Sequence, residues 1–83
     1  MSSILEHNVL QYKYMNKSFA KNLRELRKEN ALRQSDIAKA VGVSARTVSF
    51  WESGERECDF NTLIKIAQFF KVSTDFLLGI SEF

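Results

Sequence analysis

An all-α fold is predicted for this 83-residue chain by three observations: it contains no Pro, only three Gly, and repeated apolar positions at helical spacing. Without Pro, uninterrupted helices are permitted, and the glycines at 42, 54 and 79 become informative as stops. The length suits one domain with a single modest core.

The first sixteen residues carry Ile4, Leu5, Val9, Leu10, Tyr12 and Met15 at loose helical spacing with no clear cap, and are assigned as an N-terminal extension. With Asn16 or Ser18 as N-cap, Phe19, Leu23 and Leu26 follow at i, i+4 and i+7, giving a first helix that ends near Glu29. A short second helix runs from about Gln34 to Ala40, with Ile37 and Ala38 inward and Asp36 in the first turn, where its charge suits the helix dipole. Gly42 ends it, Ser44 caps a third helix from Ala45 to about Ser53, and Gly54 closes that one. Asp59 is the N-cap expected for a fourth helix with Leu63, Ile66, Ala67 and Phe70 on one face. Ser73 caps a fifth that holds Phe76, Leu77 and Leu78 before Gly79. The expected organisation is therefore an extension (1–16), a five-helix domain (17–79) and a short tail (80–83).

Charge is unevenly spread. Residues 17–46 hold eight basic against three acidic side chains, a net +5, whereas the remainder carries −3. Segregated positive charge suits a polyanionic partner. Lys21, Arg24 and Lys28 read as a solvated helix face. One Cys (Cys58) and one His (His7) cannot form an intrachain disulfide, supply a soft-ligand zinc site or make a recognisable nucleophile–base pair. No enzyme, metal or cofactor is expected. Cys58 reads as an inert packing residue or a redox-sensitive surface thiol. No run approaches the roughly 18 apolar residues of a membrane span, and no leader pattern opens the chain, so a cytoplasmic protein is expected.

The informative segment is Gln34 to Gly54. Two helices crossing at a steep angle need a small residue at the contact, a turn residue free to take positive φ, and an inward apolar residue on the second helix. Ala38, Gly42 and Val48 meet these demands. The outer face of the third helix then projects, with Ser44, Ala45, Arg46, Ser49 and Phe50 on it. A helix of this width fits the DNA major groove, where Arg bonds guanine bidentately and apolar groups touch the thymine methyl. Arg46 is the best candidate reader. Phe50 either touches DNA or leans back on Trp51 and the core.

This segment resembles the helix-turn-helix family of phage repressors, Cro proteins and their bacterial relatives, the Cro/C1 or XRE-like class. The resemblance rests on Leu26-Arg27, Leu32, Gln34, Ile37-Ala38, Val41-Gly42-Val43-Ser44, Val48-Ser49, Trp51-Glu52, Gly54, Leu63, Ile66-Ala67, Val72-Ser73 and Asp75 to Gly79, over residues 19–79. It implies a compact five-helix, lambda-repressor-like domain that regulates transcription by binding double-stranded DNA, as a homodimer on a pseudo-palindromic operator. It further implies that Gln34 bonds a DNA phosphate and that Ser44, Ala45, Arg46, Ser49 and Phe50 meet bases or adjacent phosphates. Arg56 is expected to reach the backbone, and Arg27 and Glu52 to form a structural ion pair. The loop before the fourth helix departs from the family's pattern: it lacks the frequent Pro near Cys58, and Glu55, Glu57 and Asp59 make it acidic. A competing class is a protein-interaction module, an antitoxin or anti-repressor partner, gripping through residues 1–16 or the apolar tail Leu77, Leu78, Ile80 and Phe83. No small-molecule site is evident.

Overall fold

A computed structural model describes the backbone of residues 4–81 and the side chains of residues 14–81. The described residues form five helices and no strand: α1 (Ile4–Glu29), α2 (Gln34–Val41), α3 (Ala45–Ser53), α4 (Phe60–Phe70) and α5 (Thr74–Leu77). His7, Phe83 and the apolar side chains expected at 4–12 lie outside the described side chains.

Helix α1 begins far earlier than the expected cap at Asn16 or Ser18. No Gly or Pro interrupts residues 4–29, so nothing in the backbone chemistry breaks the helix there. Both cap-forming residues are used for tertiary contact instead. Asn16 Nδ2 donates to the Gly54 carbonyl at 3.2 Å, and Ser18 lies so close to Gly79 that a Cβ built there would sit 2.6 Å from Ser18 Oγ. The boundary expected at 16/17 thus falls inside one continuous helix.

The α2–α3 unit is built by local signals. Asp36 accepts from the Arg33 backbone N–H at 2.8 Å, satisfying a free donor at the start of α2. At its end Gly42 takes φ 79°, and the Ala38 carbonyl accepts from both Gly42 N–H (2.8 Å) and Val43 N–H (3.0 Å). The left-handed residue thereby satisfies a carbonyl that the helix leaves open. Ser44 caps α3 by accepting from Thr47 N–H at 3.2 Å.

Two later boundaries differ from expectation in their chemistry. Asp59 has the extended backbone of an N-cap, yet its carboxylate makes no capping bond; only its carbonyl engages, accepting from Leu63 N–H at 2.9 Å. Lys71 ends α4 in the left-handed region at φ 58°, without a Gly.

The core gathers Phe19 and Leu23 of α1, Ile37, Ala38 and Val41 of α2, Val48 and Trp51 of α3, Leu63, Ile66 and Ala67 of α4, and Leu77 of α5. Phe19 meets Trp51 edge-on, with ring centroids 6.5 Å apart. Because α3 buries Val48, Trp51 and Glu52, with a partial contribution from Ala45, its opposite face is left for other work.

Candidate nucleic-acid interface

Helix α3 turns Val48, Trp51 and Glu52 inward. Arg46, Ser49 and Ser53 are exposed, and Phe50 is half-buried, so positions i, i+3, i+4 and i+7 form one outward stripe. Ser44 stands exposed at its start, its hydroxyl shared with Thr47 Oγ1 at 3.0 Å. Ala45 is tilted towards the core edge and packs against it. The structure therefore brings Ser44, Arg46, Ser49 and Phe50 onto one surface and leaves Ala45 at its margin.

Phe50 is not among the side chains packed on the core. Its ring instead carries two guanidinium groups, with Arg46 Cζ 5.5 Å and Arg56 Cζ 4.5 Å from the ring centroid. Arg56 is thus drawn onto the outer face of α3 although it belongs to an acidic loop. Nothing in residue spacing pointed to this association, because it depends on the chain folding back after Gly54. Glu55, Glu57 and Asp59 of that loop are exposed.

Behind the stripe lies a polar joint. Arg27 Nε donates to Glu52 Oε2 at 2.7 Å and Arg27 Nη2 to Oε1 at 2.9 Å, a bidentate pair between α1 and α3. The side chains are 15% and 5% exposed, so the charges are largely withdrawn from water. Arg27 Nη1 also donates to the Leu32 carbonyl at 3.0 Å, tying the α1–α2 loop to the same group. Hydrogen bonding to Glu52 holds the Arg27 pKa above its ordinary value, against the opposing effect of burial. Gln34 was expected at a phosphate; here its Nε2 donates to Glu52 Oε1 at 3.3 Å. One of its two amide N–H groups stays available.

Cys58 is half-buried beside an apolar groove of about 240 Å³ that it lines with Met15, Phe19, Phe60, Leu63 and Leu78. Burial, reinforced by Asp59 and Glu57, pushes its thiol up to about 11. Half-buried against the core and held protonated by burial, Cys58 fits the packing reading better than the reactive-thiol one. Two members of the apolar tail expected to grip a partner are corrected. Leu77 is fully buried and Leu78 packs on the core, leaving Ile80 exposed. Among the described residues no cluster of His, Cys, Asp and Glu could hold a metal ion, and no helix is long and apolar enough to cross a membrane.

Residues 23–77 match the Helix-turn-helix family HTH_3. The chain is 38% identical over 60 residues to the uncharacterised HTH-type transcriptional regulator YqaE of Bacillus subtilis (strain 168), covering 72% of this chain and 52% of YqaE. It is 34% identical over 65 residues to the HTH-type transcriptional regulator ImmR of the same organism, covering 78% and 51%. The chain thus spans about half the length of the curated relatives it matches. Among solved structures, the P22 c2 repressor in complex with a synthetic operator superposes with a TM-score of 0.72 at 32% identity, covering 76% of this chain and 96% of that one. On this match the chain belongs to the helix-turn-helix family, of the Cro/C1 type that its residues resemble.

Proposed function

We propose that this chain is a sequence-specific double-stranded-DNA-binding transcriptional regulator, a repressor, that places α3 in the major groove. The observation that carries this reading is the outward stripe of α3, where Arg46 is exposed and makes no ion pair among the described residues. An unpaired guanidinium on a projecting helix matches the bidentate donor that guanine O6 and N7 accept. The P22 c2 repressor, similar in fold and sequence, is itself held on an operator.

In this reading Arg46 reads a base, while Ser44, Ser49 and Phe50 border it. Ala45, half-buried at the margin, offers only a methyl group. Gln34 gives its remaining N–H to a phosphate at the start of α2, and Arg56 reaches the phosphate backbone beside α3. Arg27 and Glu52 fix the tilt of α3 and touch no DNA. Residues 17–79 contain all these groups and form the DNA-contacting unit, flanked by the extension 1–16 and the tail 80–83. Two copies act as a homodimer, with their α3 helices about 34 Å apart in successive major grooves of a pseudo-palindromic operator in the cytoplasm.

The test begins with selection of bound duplexes from random-sequence DNA, followed by fluorescence anisotropy on the enriched duplex and a scrambled one. Wild-type protein should prefer the enriched duplex, and its affinity should fall steeply as salt rises. Arg46→Ala should remove the preference while leaving the helical circular dichroism intact. Equal preference in wild type and variant would refute the role given to Arg46.

A further inference from the structure

The Phe50 ring lies within reach of two cations that arrive by different routes. Arg46 comes from one turn earlier in α3, whereas Arg56 comes from beyond Gly54. The second approach is organised by Phe50 itself. Its carbonyl accepts from Glu55 N–H at 3.0 Å, Arg56 N–H at 3.3 Å and Ser53 Oγ at 3.0 Å, which folds the loop back over the last turn of α3. Both guanidinium carbons lie close to one centroid, so they are at most about 10 Å apart. Neither has a carboxylate within ion-pair distance among the described residues.

Two like charges gathered with no carboxylate in direct ion-pair contact repel one another. What opposes that repulsion is the negative face of the aromatic ring, which attracts a cation placed over it. The ring thus offers both guanidiniums a shared resting place on the outer face of α3, with neither held in an ion pair among the described residues. An incoming polyanion would neutralise that repulsion and meet two guanidiniums already brought to one site.

We infer that Phe50 is a positioning residue, whose ring holds Arg46 and Arg56 together as one clamp for duplex DNA, with Arg46 at a base edge and Arg56 at the flanking phosphate. The inference rests on the DNA-binding reading above and goes beyond it, since it makes Phe50 act through the arginines and not by its own contact with a base. Two guanidiniums sharing one ring are also coupled: loss of the ring weakens both arms at once.

A double-mutant design separates this from the alternatives. Binding is measured by anisotropy in 50 mM KCl on a fluorescein-labelled duplex carrying the sequence enriched from random DNA. Phe50→Ala should weaken binding about tenfold, given two partly exposed cation–π contacts. Phe50→Tyr, which keeps the ring face, should stay within about twofold of wild type, and Phe50→Leu should behave like Phe50→Ala. In an Arg46→Ala/Arg56→Ala background, Phe50→Ala should change affinity by less than about twofold. The same tenfold loss in that background would mean that the ring contacts DNA itself, and would overturn the inference. Wild-type affinity in Phe50→Leu would overturn it too, by reducing the ring to apolar filler. Should Phe50→Ala lose its helical signal, the Tyr and Leu variants, which retain bulk, decide between the same outcomes. A wild-type protein that fails to prefer the enriched duplex would instead defeat the DNA-binding reading, a result distinct from any of these.

Discussion

Replacing Arg27 by Ala removes a partner that Glu52 cannot replace. The carboxylate is 5% exposed and accepts two short bonds from Arg27, at 2.7 and 2.9 Å. After the substitution Gln34 at 3.3 Å is its only remaining side-chain donor among the described residues, and the Leu32 carbonyl loses its guanidinium as well. Breaking a buried pair by removing one member costs about 3–5 kcal/mol. Because Arg27 is itself 15% exposed, water can reach the vacated position and the lower end, about 3 kcal/mol, is expected. At about 4–8 °C per kcal/mol for a domain of this size, Tm should fall by roughly 12 °C or more. Urea unfolding followed by circular dichroism, with thermal melts in parallel, measures both quantities. The double variant Arg27→Met/Glu52→Leu should recover most of the loss, since packed apolar groups commonly replace a buried ion pair without penalty. A loss below about 1 kcal/mol for Arg27→Ala, or a double variant no better than the single one, would refute the claim that this pair holds α3 against α1. In wild-type protein the raised Arg27 pKa contributes stability that is present at neutral pH, where Glu52 is a carboxylate. On the alkaline side it disappears as pH rises through a value above the ordinary arginine one.

Further outcomes follow from local geometry. Gly42→Ala should cost about 1–2 kcal/mol, measurable in urea, because a Cβ there meets nothing within 4 Å and only the left-handed backbone objects. Gly79→Ala should cost more in the same assay, since the same backbone strain at φ 74° is joined by a collision with Ser18. Ser44→Ala should lose about 1 kcal/mol of stability through the lost cap on Thr47 N–H. The Cys58 thiol should react slowly with iodoacetamide at pH 8 and much faster as pH approaches 11; its raised pKa means that the stability it contributes is complete below about pH 9 and declines above. Fast labelling of folded protein at pH 7 would contradict its burial.

The α2–turn–α3 unit was legible in the sequence because its determinants are local. Gly42 announces a left-handed stop, Ser44 an N-cap, and Val48 and Trp51 an inward face, all within ten residues. Helix α1 was misread for the opposite reason. Asn16 and Ser18 look like caps, but their use is decided by Gly54 and Gly79, residues distant in sequence. The end of α4 at Lys71 carried no signal at all, since a non-glycine residue accepts positive φ there. At the interface, the exposure of Arg46 and Ser49 followed from helical periodicity. The meeting of Arg56 with Phe50 did not, because it is made by backbone bonds to one carbonyl after the helix has ended. Likewise, the side-chain type of Gln34 suggests a phosphate donor, and only packing reveals that Glu52 takes one of its N–H groups.

The placement of α3 in a major groove is tested most directly by dimethyl sulfate footprinting of the enriched duplex, which reports guanine N7 in the major groove and adenine N3 in the minor groove. Protein binding should protect guanine N7 positions in two clusters about one helical turn apart, and the protection should vanish with Arg46→Ala. Protection confined to adenine N3, or guanine protection that persists unchanged in the Arg46 variant, would contradict the account.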